Sequence, residues 1–313
     1  MDKSVNYEQK SNPTSHEEAD DRSNTPPAES DDSCTSNPVK KKKLNSNKRS
    51  KHPQSFLPTY LTPYVEHSHG DFFVSSHFSP ILISQLMAEG FLPIATPRYL
   101  VPKLHKQRMV IYPLIDPLTR NIRIHTGKST KKKCKKFSLT LQKDFNGVIE
   151  GCHKQHGVGW LYPPIVHAFA TLHRSTCDND GIMVRLGSDG ESVTLRLISV
   201  EVWNEKHELV GGEIGYSLGT MYTSLSGFAS EDSAGSVQLA ALGNLLAQQH
   251  FDLWDLGMGL DYKKRLGAEE MDRLTFVETV QMLRVKEHPP LSYDSDSEYG
   301  MNCKEILSQT EEM

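Results

Sequence analysis

The stretch from Ser199 to Gly259 constrains this chain most, because its hydrophobic period switches from two to helical and back. Val200 and Val202, then Leu209, Val210, Ile214 and Tyr216, alternate with polar residues. That is the signature of half-buried strands. The polar turn Asn204 to His207 joins them into a hairpin. Gly211-Gly212 interrupts the second strand, and paired glycines there predict a bulge or a close backbone approach. A tight Ser217-Leu218-Gly219-Thr220 turn leads into a third strand, Met221 to Phe228. Val237, Leu239, Ala240, Leu242, Leu245 and Leu246 then form the buried side of a helix ending near His250. Leu253 to Gly259 returns to a strand-like pattern.

Strand, bulged strand, strand, helix, strand is an α+β order. It is also the core order of N-acetyltransferase-like (GNAT-type) domains, in which a splayed strand pair exposes backbone groups to an acyl donor. The residues are more specific than the order. Glu201-Val202-Trp203, Glu208 to Gly212, Gly215, Gly219-Thr220, Phe228-Ala229-Ser230 and Leu266-Gly267-Ala268 fall in the order and spacing of one family. Upstream, Phe145 to Cys152 and Gly159-Trp160 match that family's helix and tryptophan. The chain resembles the leucyl/phenylalanyl-tRNA–protein transferases, roughly from Ser79 to Arg284 and most closely in the second half. The resemblance implies an acetyltransferase-like C-terminal domain behind a smaller N-terminal α/β domain. It also implies transfer of a hydrophobic amino acid (Leu, Phe or Met) from charged tRNA to the N-terminal residue of a protein, in N-degron degradation.

Composition bounds the setting. With 313 residues and 37% hydrophobic content the chain can bury one large core or two smaller ones. A net charge of −4 means that any nucleic-acid contact must come from local patches. The five cysteines (Cys34, Cys134, Cys152, Cys177, Cys303) are scattered, without a Cys-x-x-Cys pair. That pattern favours reduced thiols in a cytoplasmic or nuclear setting over a disulfide framework. No secretory signal or membrane-length apolar run is read, so no membrane partner is expected, and the chain is expected to be a monomer.

Four segments are expected. Residues 1–54 read as a disordered arm, poor in large apolar residues, with Lys40 to Lys43 and Lys48 to Lys51 as nuclear-import or RNA-contacting clusters. Residues 55–143 read as the N-terminal α/β domain. It opens with a helix started by Ser79-Pro80 and ended by Gly90. Strands follow over Arg108 to Ile124, and another over Phe137 to Gln142. Residues 144–286 read as the aminoacyl-transfer domain. It holds a helix capped by Asp144, a helix over Pro163 to Arg174, an extra hairpin (Ile182 to Arg185 with Ser192 to Leu197) and a last helix over Leu274 to Val285. Residues 287–313 read as a disordered acidic tail, with Asp294 to Glu298 as a phosphorylatable segment.

Lys131, Lys132, Lys133, Lys135 and Lys136 form a dense basic run, and clustered lysines supply the phosphate contacts that dominate sequence-independent RNA affinity. An exposed lysine run is also an ordinary soluble surface. The resemblance favours tRNA, since the family places a basic cluster before the same strand.

Aminoacyl transfer needs no cofactor, because the ester is already activated; the protein must orient two substrates and manage one proton. Asp255, at the end of an apolar strand and matching the family's aspartate, is the first candidate to handle that proton. The family's glutamine two residues on is Gly257, its glutamate in the third strand is Leu225, and the tryptophan expected upstream is Ile94. Glu201 and Glu213 are therefore candidate replacement carboxylates. Tyr222, Ser224 and Ser226 are candidate hydrogen-bonding groups, and Phe228 and Gly257 candidate substrate-binding positions. Trp160 is read as stacking on the terminal adenosine, as closing the amino-acid pocket, or as core. Cys152, His153 and His156 do not have zinc spacing, so no metal is expected. Two other classes remain open. One is an acyl-CoA-dependent N-acyltransferase using Ser233-Ala234-Gly235-Ser236 as a phosphate turn. The other is a non-catalytic RNA- or peptide-binding relative.

Overall fold

The computed structural model describes residues 72, 74–159, 161–186, 191–293 and 297–309. The arm over 1–54, Trp160 and the acidic run over 294–296 lie outside the described residues. Two short stretches come first: helix α1 (Pro80–Ala88), opened as expected by Ser79-Pro80, and the hairpin β1 (Leu92–Ala95) with β2 (Leu100–Lys103). Strand β3 (Gln107–Ile111), helix α2 (Lys128–Lys133), β4 (Phe137–Leu141), α3 (Phe145–His156) and α4 (Pro163–Asn179) follow. Then come β5 (Ile182–Leu186), β6 (Glu191–Asn204), β7 (Leu209–Leu218) and β8 (Met221–Ala229). Helix α5 (Ala234–Gln248), β9 (Leu253–Asp255), α6 (Asp261–Leu266), β10 (Glu269–Asp272) and α7 (Arg273–Arg284) precede the final pair, β11 (Met301–Asn302) and α8 (Cys303–Gln309).

One nine-stranded mixed sheet organises these elements, in the order β10-β3-β9-β8-β7-β6-β4-β11, with β5 also on β6. Odd-numbered β6 residues (Leu195, Leu197) and β7 residues Ile214, Tyr216 and Leu218 pack under α1, α3, α4 and α7. Ile198, Val200 and Val202 face the other way, against α5 and α8. Helices thus cover both faces, as the period-2 alternation requires. The hairpin and the extra β5–β6 pairing appear as read, but β6 is a single 14-residue strand serving both.

Three expectations are corrected. The boundary at 143/144 separates nothing: β3 and β4 are inner strands of the same sheet as β6 to β9, and Pro53–Met313 forms one compact unit. Strand pairing between distant segments overrode a division drawn from sequence proximity. Of the bulge or close backbone approach expected at the glycine pair, the close approach holds, since a Cβ on Gly212 would collide with the Val200 carbonyl oxygen. The bulge itself lies beside the pair, as Val202 pairs with Gly211 and Trp203 with Leu209, leaving Val210 as the extra residue. A second irregularity on β8 skips Leu225, as Ile214 pairs with Ser226 and Gly215 with Ser224. Finally, the segment read as a disordered tail is structured over 297–309. Strand β11 pairs with β4, and Cys303, Ile306 and Leu307 are buried against the α5 side of the core. Its few apolar residues are spaced to fall on one face of α8, a signal the acidic serines before it conceal. Ile306→Ala is expected to cost about 2–3 kcal/mol in denaturant unfolding, whereas an unpacked tail would show no change.

Candidate functional site

The only parallel strand pair among the described residues generates the site. Strands β8 and β9 pair over Met221–Thr223 and Leu253–Asp255 and then part. The chain after Asp255 keeps to β3 instead: Leu256 N donates to Met109 O at 2.8 Å, and Met109 N to Gly257 O at 2.7 Å. Gly257, at φ +78°, turns away in the left-handed region where glycine is favoured. The far half of β8 thus lacks a strand partner on that side. Side chains from α3 occupy two of its backbone groups. Gln155 accepts from Ala229 N at 2.8 Å, and His156 Nε2 lies 2.7 Å from Gly227 O.

A cleft of about 1290 Å3 opens where the strands part, larger than the roughly 300–1,000 Å3 usual for one small ligand. Ser224, Leu225, Ser226, Gly227 and Phe228 line it from β8, Leu256 to Met258 from the departing chain, and Gln238 to Ala240 from α5. Most of this wall is apolar, while Lys263, Arg265, His105, His125 and His156 add positive or titratable groups. Gly127, which caps the basic helix α2, and Thr130 within it also line the cleft.

The three candidate carboxylates separate cleanly. Glu213 lines the cleft from β7. The Val210 bulge, just before it, restores its side chain to the α5 face. Among the described residues it accepts from neutral donors: Tyr222 Oη at 2.9 Å and Ser224 Oγ at 2.8 Å on Oε1, and Gln238 Nε2 at 2.9 Å on Oε2. Burial pushes its carboxyl above the usual carboxylate range, against these hydrogen bonds and the nearby Lys263 charge.

Asp255 does not line the cleft. It is fully buried and held by Arg108, whose Nε donates to Oδ1 at 3.1 Å and whose Nη2 donates to Oδ2. Gly257 N donates to the same Oδ1 at 2.9 Å, and the Arg108 guanidinium also lies 4.5 Å from the Phe276 ring centroid. A carboxylate so occupied is an anchor for the Gly257 turn. Glu201 is likewise internal. Thr140 and Ser199 hydroxyls donate to it at 2.7 and 2.6 Å, and the Lys143 and Asp144 backbone N–H groups at 3.3 and 3.2 Å, tying β6 to the start of α3. The Asp255 candidacy rested on its place after an apolar strand and on the resemblance, and that of Glu201 on residue type; none of these reveals partners from distant strands.

Of the other expected site residues, Ser224, Ser226, Phe228 and Gly257 meet at the cleft, whereas Tyr222 is buried behind it and supports Glu213. Trp160 lies outside the described residues. Burial pushes the Cys152 thiol up to about 11, which makes it a poor nucleophile. Lys132, Lys135 and Lys136 are exposed, while Lys133 is bound to Asp232 and Ser233. Sequence reasoning missed Arg108 and Lys263, two cations inside ordinary-looking charged or alternating segments.

Among the described residues that line the cleft, Glu213 is the one carboxylate, and burial favours its protonated form. Comparison with known proteins gives the family. The Leucyl/phenylalanyl-tRNA protein transferase family model matches residues 118–281. A leucyl/phenylalanyl-tRNA–protein transferase of Maridesulfovibrio salexigens is 30% identical over 195 residues, 59% of this chain and 72% of that protein. Those of Roseobacter denitrificans and Saccharophagus degradans are each 26% identical. The first match covers 65% of this chain and 85% of the relative, and the second 76% and 88%. The chain belongs to the leucyl/phenylalanyl-tRNA–protein transferase family.

Proposed function

We infer that this chain moves a hydrophobic amino acid, leucine, phenylalanine or methionine, from charged tRNA to the α-amine of a protein's N-terminal residue, marking the acceptor for degradation. The observation that carries the reading is Glu213: a buried carboxylate, without an ion pair among the described residues, facing a large apolar cleft in a chain of this family. In the reaction the amine nitrogen bonds to the ester carbonyl carbon, the bond to the ribose oxygen breaks, and the ribose hydroxyl leaves. The acceptor arrives as an ammonium and must shed a proton before attack. Glu213 receives it; a raised pKa suits a base working near neutrality. The amide product retains one hydrogen on nitrogen, and the other goes to the ribose oxygen. Leu225 stands where the family's glutamate is expected, and Glu213 supplies a carboxylate to the same cleft from the neighbouring strand.

The parting of β8 and β9 supports an acetyltransferase-like reading of the sheet. Phe228, Leu225 and Leu256 suit an apolar aminoacyl side chain, with Ser224 and Ser226 as polar contacts. Lys132, Lys135 and Lys136 are exposed, Thr130 of the same basic segment lines the cleft, and these lysines suit tRNA phosphates. Changing these three to alanine is expected to flatten the slope of log affinity against log salt by about 2 to 3. A slope equal to wild type would mark them as ordinary surface.

A second reading is favoured by Gly235 and Ser236, which border the cleft at the start of α5 and could face an acyl-CoA phosphate. The two are separated by donor. Labelled Leu, Phe and Met on tRNA, and labelled acetyl-CoA, are offered with peptides beginning with Arg, Lys, Asp or Glu. Transfer from charged tRNA and none from acetyl-CoA is expected; the reverse would replace the first reading with the second.

A further inference from the structure

We propose that Lys263 is a positioning residue for this transfer: it pins the Gly257 turn of the cleft wall and holds a positive charge on the Glu213 carboxylate. The inference rests on the aminoacyl-transfer reading above. In sequence Lys263 belongs to Asp261-Tyr262-Lys263-Lys264-Arg265, a run that looks like a solvated helix face. Lys264 behaves that way, pairing with Glu270 at 2.9 Å while more than half exposed. Lys263 does not. It is only 7% exposed and lines the cleft. Its Nζ donates to the carbonyls of Leu256 and Met258, the latter at 2.9 Å. Those residues flank Gly257, so one ammonium clamps both sides of the turn at which the chain leaves β8.

A buried ammonium held only by neutral carbonyls is costly, and an apolar side chain could pack there without that cost. The charge therefore needs a counterpart. Two buried carboxylates act on it, Asp255 and Glu213, and Arg108 opposes it. Arg108 already engages both oxygens of Asp255. Glu213 has no ion pair among the described residues: Tyr222 and Ser224 from β8 and Gln238 from α5 bond to it, Tyr262 and Lys263 from α6 line the same cleft, and its charge also acts on Cys152 from α3. Lys263 is the cation in that set. Its field favours the ionised form of Glu213, the form that accepts a proton, and opposes the rise that burial imposes. The lysine thus acts through geometry at Gly257 and through charge at Glu213.

The test compares wild type with Lys263→Gln, Lys263→Arg and the surface control Lys264→Gln. Glutamine keeps an N–H donor for the carbonyls but drops the charge; arginine keeps the charge. An ionised Glu213 is required, so activity rises with pH through its pKa; removing the cation raises that pKa. The acid limb of the rate profile in Lys263→Gln is expected to move up by about one pH unit, with the neutral rate reduced roughly tenfold and the Kd for charged tRNA unchanged. Lys263→Arg and Lys264→Gln are expected to keep the wild-type acid limb. A carbon-13 titration of the Glu213 side chain, assigned with Glu213→Gln, should show the same shift and needs no activity. An unmoved titration in Lys263→Gln, or an equal shift in Lys263→Arg, overturns the proposal. A wild-type protein that transfers nothing while the titration shifts would instead remove the transferase reading.

Discussion

Glu213→Gln is expected to slow aminoacyl transfer by roughly 100-fold or more, the usual loss when a general base is removed. Glutamine has the same shape, and Tyr222 and Ser224 can still donate to its oxygen. Gln238 donates to the other carboxylate oxygen. Its amide can turn to present its carbonyl to the new NH2 group. The fold should therefore persist, and the melting temperature should stay close to wild type. Single-turnover rates with a saturating charged tRNA measure the chemical step, and filter binding measures affinity. A transition-state loss lowers the rate and leaves Kd alone. Equal rates in the two proteins would remove Glu213 from the reaction.

Breaking the Arg108–Asp255 pair should have the largest effect on stability. Both side chains are fully buried and bonded through two contacts. Removing one partner strands the other charge, which typically costs about 3–5 kcal/mol. Arg108→Met and Asp255→Asn are each expected to lose that much in denaturant unfolding. The combined Arg108→Met, Asp255→Leu protein should be less impaired than Arg108→Met alone, because no unpaired charge remains. This series also separates the two roles open to Asp255. An anchor loses stability when neutralised, whereas a proton acceptor would lose rate with stability intact.

The sheet was legible where the pattern was local. Period-2 alternation placed β6, β7 and β8, and the helix patterns placed α3, α5 and α7 within a few residues. What the sequence concealed was pairing at a distance. Nothing near Arg108 shows that its partner is Asp255, 147 residues away, and nothing near Lys133 names Asp232. The same blindness split one sheet into two domains. The candidate site was half legible: Glu213, Ser224, Ser226, Phe228 and Gly257 converge on one cleft, whereas Asp255, Glu201 and Tyr222 carry the right chemistry behind its walls. Lys263 was hidden for another reason. A lysine in a charged run looks solvated until the path of the neighbouring chain is known.

The central claim is that this cleft joins an amino acid from tRNA to a free N-terminus. Mass spectrometry of an acceptor peptide tests it most directly. Catalytic amounts of the purified full chain are incubated with leucyl-, phenylalanyl- or methionyl-tRNA and two versions of each peptide, one with a free α-amine and one N-acetylated. The expected result is a gain of one amino-acid residue at the N-terminus of the free peptide alone, lost with Glu213→Gln. No gain from any charged tRNA, or an equal gain on the blocked peptide, would contradict it.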